Sequence, residues 1–307
     1  MSRPSSPAQV AFRDRMVDAG VLVPMGVDGL LGKGRAFVSV FNGLDALLTR
    51  EVADDDLELF RFPPVVPRTL LEKTDYIRSF PDLIGSIHSF SGTDAEHADL
   101  LRVLEDGGDW GAELSTSEVT LLPASCYPLY PMVAAEGALA DGGRTFDVLG
   151  TCFRNEPSAD SARMQVFHQR EVVRVGSPAD TIEFRDAWLD RSMRLLSGLG
   201  LSVESEVAND PFFGRAGRML AANQKNAALK FEVLATVGDA DIPTAITSCN
   251  CHQDHLGAAF DIALADGSVA HSACVGFGME RIVLALFSAH GTDLGSWPDK
   301  VRGQLWP

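Results

Sequence analysis

A β-hairpin with a charged loop constrains the fold of this chain more than any other sequence feature. Residues 146–156 and 166–176 both carry the apolar run of a strand, and a short polar segment separates them. The first strand leads into the run Phe153-Arg-Asn-Glu156. Far downstream, residues 276–281 read Gly-Phe-Gly-Met-Glu-Arg and join a predicted strand to a predicted helix. The order of these segments predicts a hairpin with charged residues at its loop and a later strand that runs through glycines into a helix.

These fragments resemble the second and third signature motifs of class II aminoacyl-tRNA synthetases. Arg154, Glu156 and the spacing Arg163-x-x-x-Phe167 match the second motif, and Arg281 closes the third. Each fragment alone has an ordinary explanation, such as a solvated Arg/Glu pair or a flexible turn, and a bare Gly-x-Gly carries little weight. Their joint occurrence favours the resemblance. It implies an α+β fold, an antiparallel sheet flanked by helices, and an enzyme that activates amino acids with ATP.

The domain organisation follows from the first class II motif. A helical pattern over residues 41–52 precedes a strand-like run over 57–62 and two prolines. This resembles the motif that usually builds a dimer interface, so we expect a homodimer. We predict a short N-terminal appendage over residues 1–40 and a catalytic domain over 41–307. Further predicted elements are helices at 180–198, within 209–229 and at 279–289, and strands at 230–237, 244–248, 258–264 and 269–275.

Charge and composition narrow the possible partners. The 307 residues are 46% hydrophobic and 22% charged, which is ordinary globular composition. Lys plus Arg total 26 against 42 Asp plus Glu, and a net charge of −16 disfavours a nucleic-acid partner such as tRNA. No run approaches the ~20 apolar residues of a membrane span, and the first residues lack the apolar core of a signal peptide. Five cysteines form no even disulfide framework. We therefore expect a cytoplasmic protein.

The resemblance assigns an ATP site. Amino acid activation requires charge on the α-phosphate to be neutralised, a task that suits the planar fork of arginine. The resemblance gives this role to Arg154, places Glu156 near the adenine amino group and implies a nucleotide contact for Arg163. Phe167 and Arg281 would stack on the two faces of adenine. The remaining expected ATP ligands, which would hold Mg²⁺, are Glu232 and Ser248, but a second family glutamate aligns with Ala245 and leaves the Mg²⁺ shell open.

A cysteine in the amino-acid loop indicates zinc. Seryl-type synthetases have a Thr-x-Glu loop where this chain has Ala124-Ser-Cys126. A thiolate binds Zn²⁺ well, and zinc with an open position can bind a neutral amine. The chain resembles the zinc-dependent seryl-tRNA synthetases and their truncated homologues, the amino acid:[carrier protein] ligases. The resemblance implies zinc ligands at Cys126, Glu171 and Cys274.

A rival metal site is compact in sequence. The segment Cys249-Asn-Cys251-His252-Gln-Asp-His255 has the close ligand spacing of a zinc knuckle. Two cysteines two positions apart on a strand share a face, however, and His252 then lies on the other face. We favour ordinary packing for Cys249 and Cys251, and the roles of His252 and His255 stay open.

The acceptor is expected to be a carrier protein. Before residue 41 the chain leaves no room for a tRNA-binding domain, and the truncated homologues pass the aminoacyl group to the phosphopantetheine thiol of a carrier protein. Carrier proteins are typically acidic, so a basic patch should dock one. The predicted patch consists of Arg215, Arg218, Lys225 and Lys230. The resemblance favours glycine or alanine as substrate. The alternatives are transfer to tRNA or a small-molecule acceptor, and a non-catalytic synthetase paralogue that regulates another protein.

Overall fold

The computed structural model describes residues 5–53, 55–140, 142–238 and 243–307. Its α-helices are α1 (Pro7–Asp18), α2 (Arg35–Glu51), α3 (Arg68–Lys73), α4 (Tyr76–Ser79), α5 (Asp94–Glu105), α6 (Leu129–Ala135), α7 (Pro178–Gly198), α8 (Gly214–Asn226), α9 (His255–Phe260), α10 (Met279–His290) and α11 (Asp299–Leu305). Its strands are β1 (Leu22–Pro24), β2 (Leu31–Lys33), β3 (Glu58–Arg61), β4 (Val65–Pro67), β5 (Ser86–Ser89), β6 (Ser115–Leu121), β7 (Arg144–Phe153), β8 (Val166–Gly176), β9 (Val203–Val207), β10 (Lys230–Ala235), β11 (Thr244–Gln253) and β12 (His271–Gly278).

A seven-stranded sheet forms the centre of the fold. Its strand order is β3-β7-β8-β12-β11-β10-β9. Every neighbouring pair is antiparallel except β3 and β7, which run parallel at one edge. The predicted hairpin is β7 and β8, and the predicted strand-to-helix junction is the passage from β12 into α10. The predicted antiparallel sheet is confirmed, with one parallel strand added at its edge.

Two hydrophobic clusters cover the two faces of this sheet. One cluster packs helices α2, α7 and α10 against what we call the back face, which carries Val172, Val275 and Phe277. The other packs α6 and α9 against the opposite surface, which we call the site face, with Val148 and Val173 in its core. Adjacent residues of one strand thus contribute to different clusters, because side chains alternate across a sheet.

One predicted strand is wrong. The sequence predicts a strand over residues 258–264, but residues 255–260 form helix α9. Leu256 and Phe260 are both buried, and their spacing is that of one face of a helix. Asp261 adopts a left-handed conformation with φ of 59° and ends the helix. The short apolar run therefore follows the helical period, which the sequence pattern alone does not separate from that of a strand.

The N-terminal segment packs into the back-face cluster. Phe12, Met16 and Leu22 are buried there, and α2 runs across the predicted boundary at residue 40. The division into appendage and catalytic domain stays a prediction. Residues 1–4, part of the segment judged unlike a signal peptide, lie outside the described residues. In the part of the chain that the structure describes, no helix is both long and apolar enough to cross a membrane.

A buried arginine ties the hairpin to α2. Arg170 in β8 is 1% exposed, and its Nε and Nη2 donate to the two carboxylate oxygens of Asp147 in β7 at 3.0 and 2.5 Å. Its Nη1 donates to the carbonyl and the carboxylate of Asp45 in α2, both at 2.7 Å. A bidentate pair of this kind fixes both distance and orientation. The contacts therefore hold β7, β8 and α2 in one arrangement.

Arg170→Met is expected to lower the free energy of unfolding by about 3–5 kcal/mol, because it leaves the carboxylate of Asp147 buried without its partner. Urea denaturation measures the change. The matched control is Arg102→Ala, which removes an exposed pair with Asp99 on α5 and should cost less than about 1 kcal/mol. Equal losses in the two variants would contradict this account.

Candidate active site

Strand register places four of the predicted site residues on the site face. Glu232 in β10 pairs with Ser248 in β11, and Gly276 in β12 lies between Ser248 and Glu171 in β8. Paired residues of an antiparallel sheet present their side chains on the same face, so these positions form one row across four strands. Cys274 precedes Gly276 by two residues and therefore shares that face.

Gly276 keeps the middle of this row open. A Cβ at this position would lie 3.1 Å from Nε2 of Gln169, 3.5 Å from Oγ of Ser248 and 3.7 Å from Cγ of Glu171. A side chain at residue 276 would thus fill the space between Ser248 and Glu171. The glycine of the third motif leaves room there for a ligand.

Arg154 lies at the loop end of the hairpin. Its Nε donates to the carbonyl of Pro123 at 3.1 Å, and its guanidinium lies 5.4 Å from the ring centroid of Phe167 in a cation–π contact. Phe167 pairs with Cys152, one row from the end of β7. The two predicted nucleotide residues thus lie together, with the guanidinium oriented by a backbone carbonyl.

Arg281 lies in the first turn of α10. Its Nε donates to the carbonyl of Ala162 at 2.8 Å and its Nη1 to the carbonyl of Ala245 at 2.9 Å. The adjacent Glu280 is buried and accepts hydrogen bonds from the backbone N–H of His168 at 2.7 Å. Both residues therefore join α10 to other segments of the site. At residue 245, where the family's second glutamate would stand, the backbone carbonyl contacts Arg281.

Glu156 and Arg163 form the looser part of the second motif. Their closest charged atoms are 3.7 Å apart, and the Arg163 side chain is 43% exposed. A pair this exposed adds little to stability. Both side chains are therefore accessible to solvent.

Glu232 and Ser248 lie on the site face but face different partners. Glu232 forms an ion pair with Lys230 at 3.0 Å, while Ser248 Oγ accepts a hydrogen bond from Nδ2 of Asn250 at 3.3 Å. The lysine neutralises the carboxylate that the resemblance assigns to Mg²⁺. The Mg²⁺ assignment stays a prediction.

The loop that carries Cys126 lies directly on the site face. Gly150 in β7 makes this contact possible, since a Cβ there would lie 2.8 Å from Cβ of Ser125. Cys126 is buried in the same cluster as Cys274. A glycine in the strand thus lets the proline-rich loop bring a thiol onto the sheet.

Cys126, Glu171 and Cys274 perturb one another electrostatically. Burial raises the pKa of Glu171 to about 7, opposed by the Cys126 thiol and the Arg154 guanidinium. Burial and the neighbouring Glu171 raise the pKa of both thiols well above the ordinary range. Burial therefore favours the thiol form of both cysteines and shifts Glu171 towards its neutral form.

The donor set fits a zinc ion, although it is not gathered into coordination geometry. Among the described residues, no three His, Cys, Asp or Glu side chains form a metal centre. Oε2 of Glu171 is buried without a hydrogen-bond partner in the described structure, and a cation would satisfy it. Two thiols and a carboxylate are a donor set that Zn²⁺ accepts, with a fourth position left for a substrate.

The rival cysteine segment divides between the two faces. Cys249 is buried in the back-face cluster, and burial raises its pKa to about 12. Cys251 is also buried, whereas His255 is exposed on α9. His252 lies on the site face, with its Nε2 3.6 Å from Sγ of Cys274. The structure thus does not bring these four residues to one ion.

Helix α8 carries three of the four predicted docking residues. Arg215, Arg218 and Lys225 are exposed on it. Lys230 does not lie on that surface, because it is buried on the site face and bonded to Asp210 at 2.5 Å. Gln224 of α8 donates to the other carboxylate oxygen of Asp210 at 2.8 Å and accepts from the Asp210 backbone N–H at 2.7 Å. The docking role of the other three stays a prediction.

Sequence reasoning missed two residues that contact Cys274. Nδ2 of Asn250 lies 3.4 Å from Sγ of Cys274, and Nε2 of His252 lies 3.6 Å from the same sulfur. Strand alternation predicted that His252 lies opposite Cys249 and Cys251. Strand alternation did not indicate that Cys274 lies on the same face as His252, because the sequence pattern does not show which strands are neighbours in the sheet.

Comparisons with known proteins identify relatives over nearly the whole chain. Amino acid–[acyl-carrier-protein] ligase 1 of Bradyrhizobium diazoefficiens is 43% identical over 281 residues, which cover 92% of this chain and 86% of the relative. Ligase 2 of the same organism is 40% identical over 301 residues, which cover 98% and 90%. No protein-family model matches the sequence.

The fold has solved counterparts. The seryl-tRNA synthetase of M. kandleri, solved in complex with A. aeolicus tRNASec, superimposes with a TM-score of 0.79 at 20% sequence identity. The match covers 99% of this chain and 61% of that protein. At this identity the likeness concerns the fold alone, and it confirms the predicted class II synthetase-like α+β architecture.

Glu171→Gln is expected to change how stability depends on pH in chelator-treated protein. The carboxyl has an ordinary pKa of 4.5 and a folded pKa of about 7. Between these values the unfolded chain binds fewer protons at this carboxyl than the folded one, so the contribution of Glu171 to stability falls as pH rises, by about 1.4 kcal/mol per pH unit. Above the folded pKa, the difference from the Gln variant should be constant.

Urea denaturation across this pH range measures the effect. Glu206→Gln, on the exposed part of β9, is the matched control. If the difference between wild type and Glu171→Gln did not vary with pH, the buried protonated carboxyl would be excluded.

Proposed function

The chain belongs to the amino acid–[acyl-carrier-protein] ligase family, and we propose that it activates a small amino acid with ATP and transfers it to the thiol of a carrier protein. In the first step the substrate carboxylate attacks the α-phosphorus of ATP, which forms the aminoacyl-adenylate and releases pyrophosphate. In the second step the phosphopantetheine thiol attacks the acyl carbon, which forms a thioester and releases AMP. The observation that carries the proposal is the single face on which the arginine, carboxylate and thiol residues converge.

Arg154 and Arg281 would carry the activation step. Arg154 donates to the Pro123 carbonyl and packs against the Phe167 ring, and these two contacts restrict the orientation of its guanidinium. A preoriented guanidinium stabilises charge that develops on phosphoryl oxygens, because it needs little reorganisation. Arg281 is held by two backbone carbonyls in a similar way and would lie against the nucleotide base.

Cys126, Glu171 and Cys274 would hold zinc, which when bound supplies a Lewis-acid position for the substrate amine. Their burial in a sheet-and-loop pocket supports this, because a neutral thiol and carboxyl become ligands only when a cation replaces their protons. Gly276 would leave room for the substrate beside Glu171. Mg²⁺ with ATP is expected near Glu232 and Ser248.

We favour glycine or alanine as the amino acid. Asn250 and His252 both contact the sulfur of Cys274, and Lys230 pairs in register with Asn250 on the neighbouring strand. A substrate near Cys274 would therefore meet polar side chains, which disfavours a large apolar side chain on the amino acid.

Helix α8 would dock the carrier protein. Arg215, Arg218 and Lys225 are exposed, and Met219 between them is 69% exposed. These positions share one helical face. A basic face bordered by an exposed apolar side chain complements an acidic carrier, because charge steers the encounter and apolar burial adds affinity.

We also propose a homodimer through α2 and β3. β3 is the edge of the main sheet, and its Leu59 is 62% exposed. Val38 on α2 is 44% exposed. An unpaired sheet edge with exposed apolar side chains is a surface on which another chain can pack, and a second copy of the same surface would cover it.

Amino-acid-dependent exchange of pyrophosphate into ATP tests the activation step. Glycine or alanine should support exchange in zinc-replete protein, and Arg154→Ala should lower the rate by about 100-fold or more, because a donor to the developing charge is lost. Arg102→Ala, exposed on α5, is the control and should retain activity. No exchange with any standard amino acid would refute the activation step.

Thioester formation on a phosphopantetheine-bearing acidic carrier tests the acceptor and the docking helix. Arg215→Glu with Arg218→Glu should raise the KM for the carrier by about tenfold or more, since like charges then face each other, with pyrophosphate exchange unchanged. Arg102→Glu is the control, a single charge reversal on another helix. Unchanged loading would exclude α8 as the docking surface, and loading of tRNA in place of the carrier would identify the alternative acceptor.

A further inference from the structure

A chain of hydrogen bonds ends at the sulfur of Cys274. The hydroxyl of Tyr130 donates to Oγ of Ser272 at 3.5 Å, and Ser272 Oγ lies 3.0 Å from Nδ1 of His252. Nε2 of His252 lies 3.6 Å from Sγ of Cys274. Tyr130, Ser272 and Cys274 are all buried. The four side chains come from α6, β11 and β12, so the contacts join separate elements.

The chain has one direction once Cys274 is a thiolate, because the sulfur then has no proton to donate to Nε2 of His252. Because Tyr130 donates to Ser272, the serine hydroxyl is free to donate to Nδ1 of His252. A neutral imidazole carries only one N–H. With Nδ1 as acceptor, the proton lies on Nε2 and points to the sulfur of Cys274.

We propose that His252 is a positioning residue that donates its Nε2–H to the thiolate of Cys274 and thereby orients this sulfur for zinc. The inference rests on the zinc site of the proposed function. Asn250 donates to the same sulfur from Nδ2 at 3.4 Å, so two N–H groups converge on it. N–H donors stabilise a thiolate over a thiol, and partners that orient a metal ligand typically contribute 10–100-fold to metal affinity.

The distance to Cys274 also suits a direct ligand. Two ligands of a tetrahedral zinc ion, one sulfur and one nitrogen, lie about 3.5 Å apart. The geometry nevertheless favours a donor. Nε2 carries the proton when Ser272 donates to Nδ1, and the neighbouring amide of Asn250 occupies the same sulfur as a second donor.

Cobalt substitution tests the inference on the full chain. The variants are His252→Ala, which removes the donor, His252→Gln, which keeps an N–H, and Ser272→Ala, which frees the tautomer. His255→Ala, on the exposed surface of α9, is the matched control. The readouts are the dissociation constant for Co²⁺ in competition with a chelator, the sulfur-to-cobalt charge-transfer band and the ligand-field bands.

His252→Ala should weaken Co²⁺ binding by about 10–100-fold and shift the charge-transfer band to lower energy, because the sulfur becomes more electron-rich. The ligand-field bands should keep the pattern of wild type. His252→Gln should recover part of the affinity, Ser272→Ala should shift the band in the same direction by less, and His255→Ala should match wild type.

Wild-type affinity and an unshifted band in His252→Ala would overturn the proposal, and Ser272→Ala decides the same question should His252→Ala not fold. Changed ligand-field bands in His252→Ala would overturn it in favour of a direct ligand. Failure of the wild type to bind either Co²⁺ or Zn²⁺ would instead refute the zinc site itself. That last result is distinct, because it appears before any substitution is made.

Discussion

The buried ion pair between Arg170 and Asp147 holds the strand register on which the site depends. Arg170 and Glu171 are neighbours in β8 and face opposite sides of the sheet. A slip of one residue would exchange the two faces, placing the guanidinium on the site face and the carboxyl against α2. The bidentate contact with Asp147 and the further contacts with Asp45 make that slip costly. The position of Glu171 is therefore determined by contacts on the other side of the sheet.

The effect of burial on the ionisable groups of the site face depends on whether each group has a partner of opposite charge. Where a partner is present, the charge is kept, as in the pair of Lys230 and Asp210, whose pKa values move in the directions that favour ionisation. Where no cation is present, as at Cys126 and Glu171, the neutral form is favoured. The site face thus combines an ion pair that stays charged, Lys230 with Asp210, with the groups Cys126 and Glu171, whose charge depends on whether a cation binds.

The sequence predicted the fold class and the hairpin because their signals are local. Residues 166–176 were predicted as a strand and form β8, the second motif lies in the loop that leads into β8, and the third lies at the start of α10. Lys230 was predicted to lie on the surface because the sequence does not show on which face of the sheet the first residue of a strand lies. His252 was left open because its neighbour Cys274 belongs to another strand. The sheet of β4, β5 and β6 was not predicted, since its short strands carry little periodic signal.

Asp210 links helix α8 to the interior of the protein. Gln224 holds one oxygen of this carboxylate and Lys230 the other. Lys230 in turn pairs with Glu232 on the site face. Exchange of α8 between related enzymes, whether by evolution or by engineering, would therefore be constrained at Gln224 as well as on its solvent face. A graft that kept the outward charges but lost this glutamine would leave a partly desolvated carboxylate without one of its donors, and the cost would appear in the interior rather than at the surface.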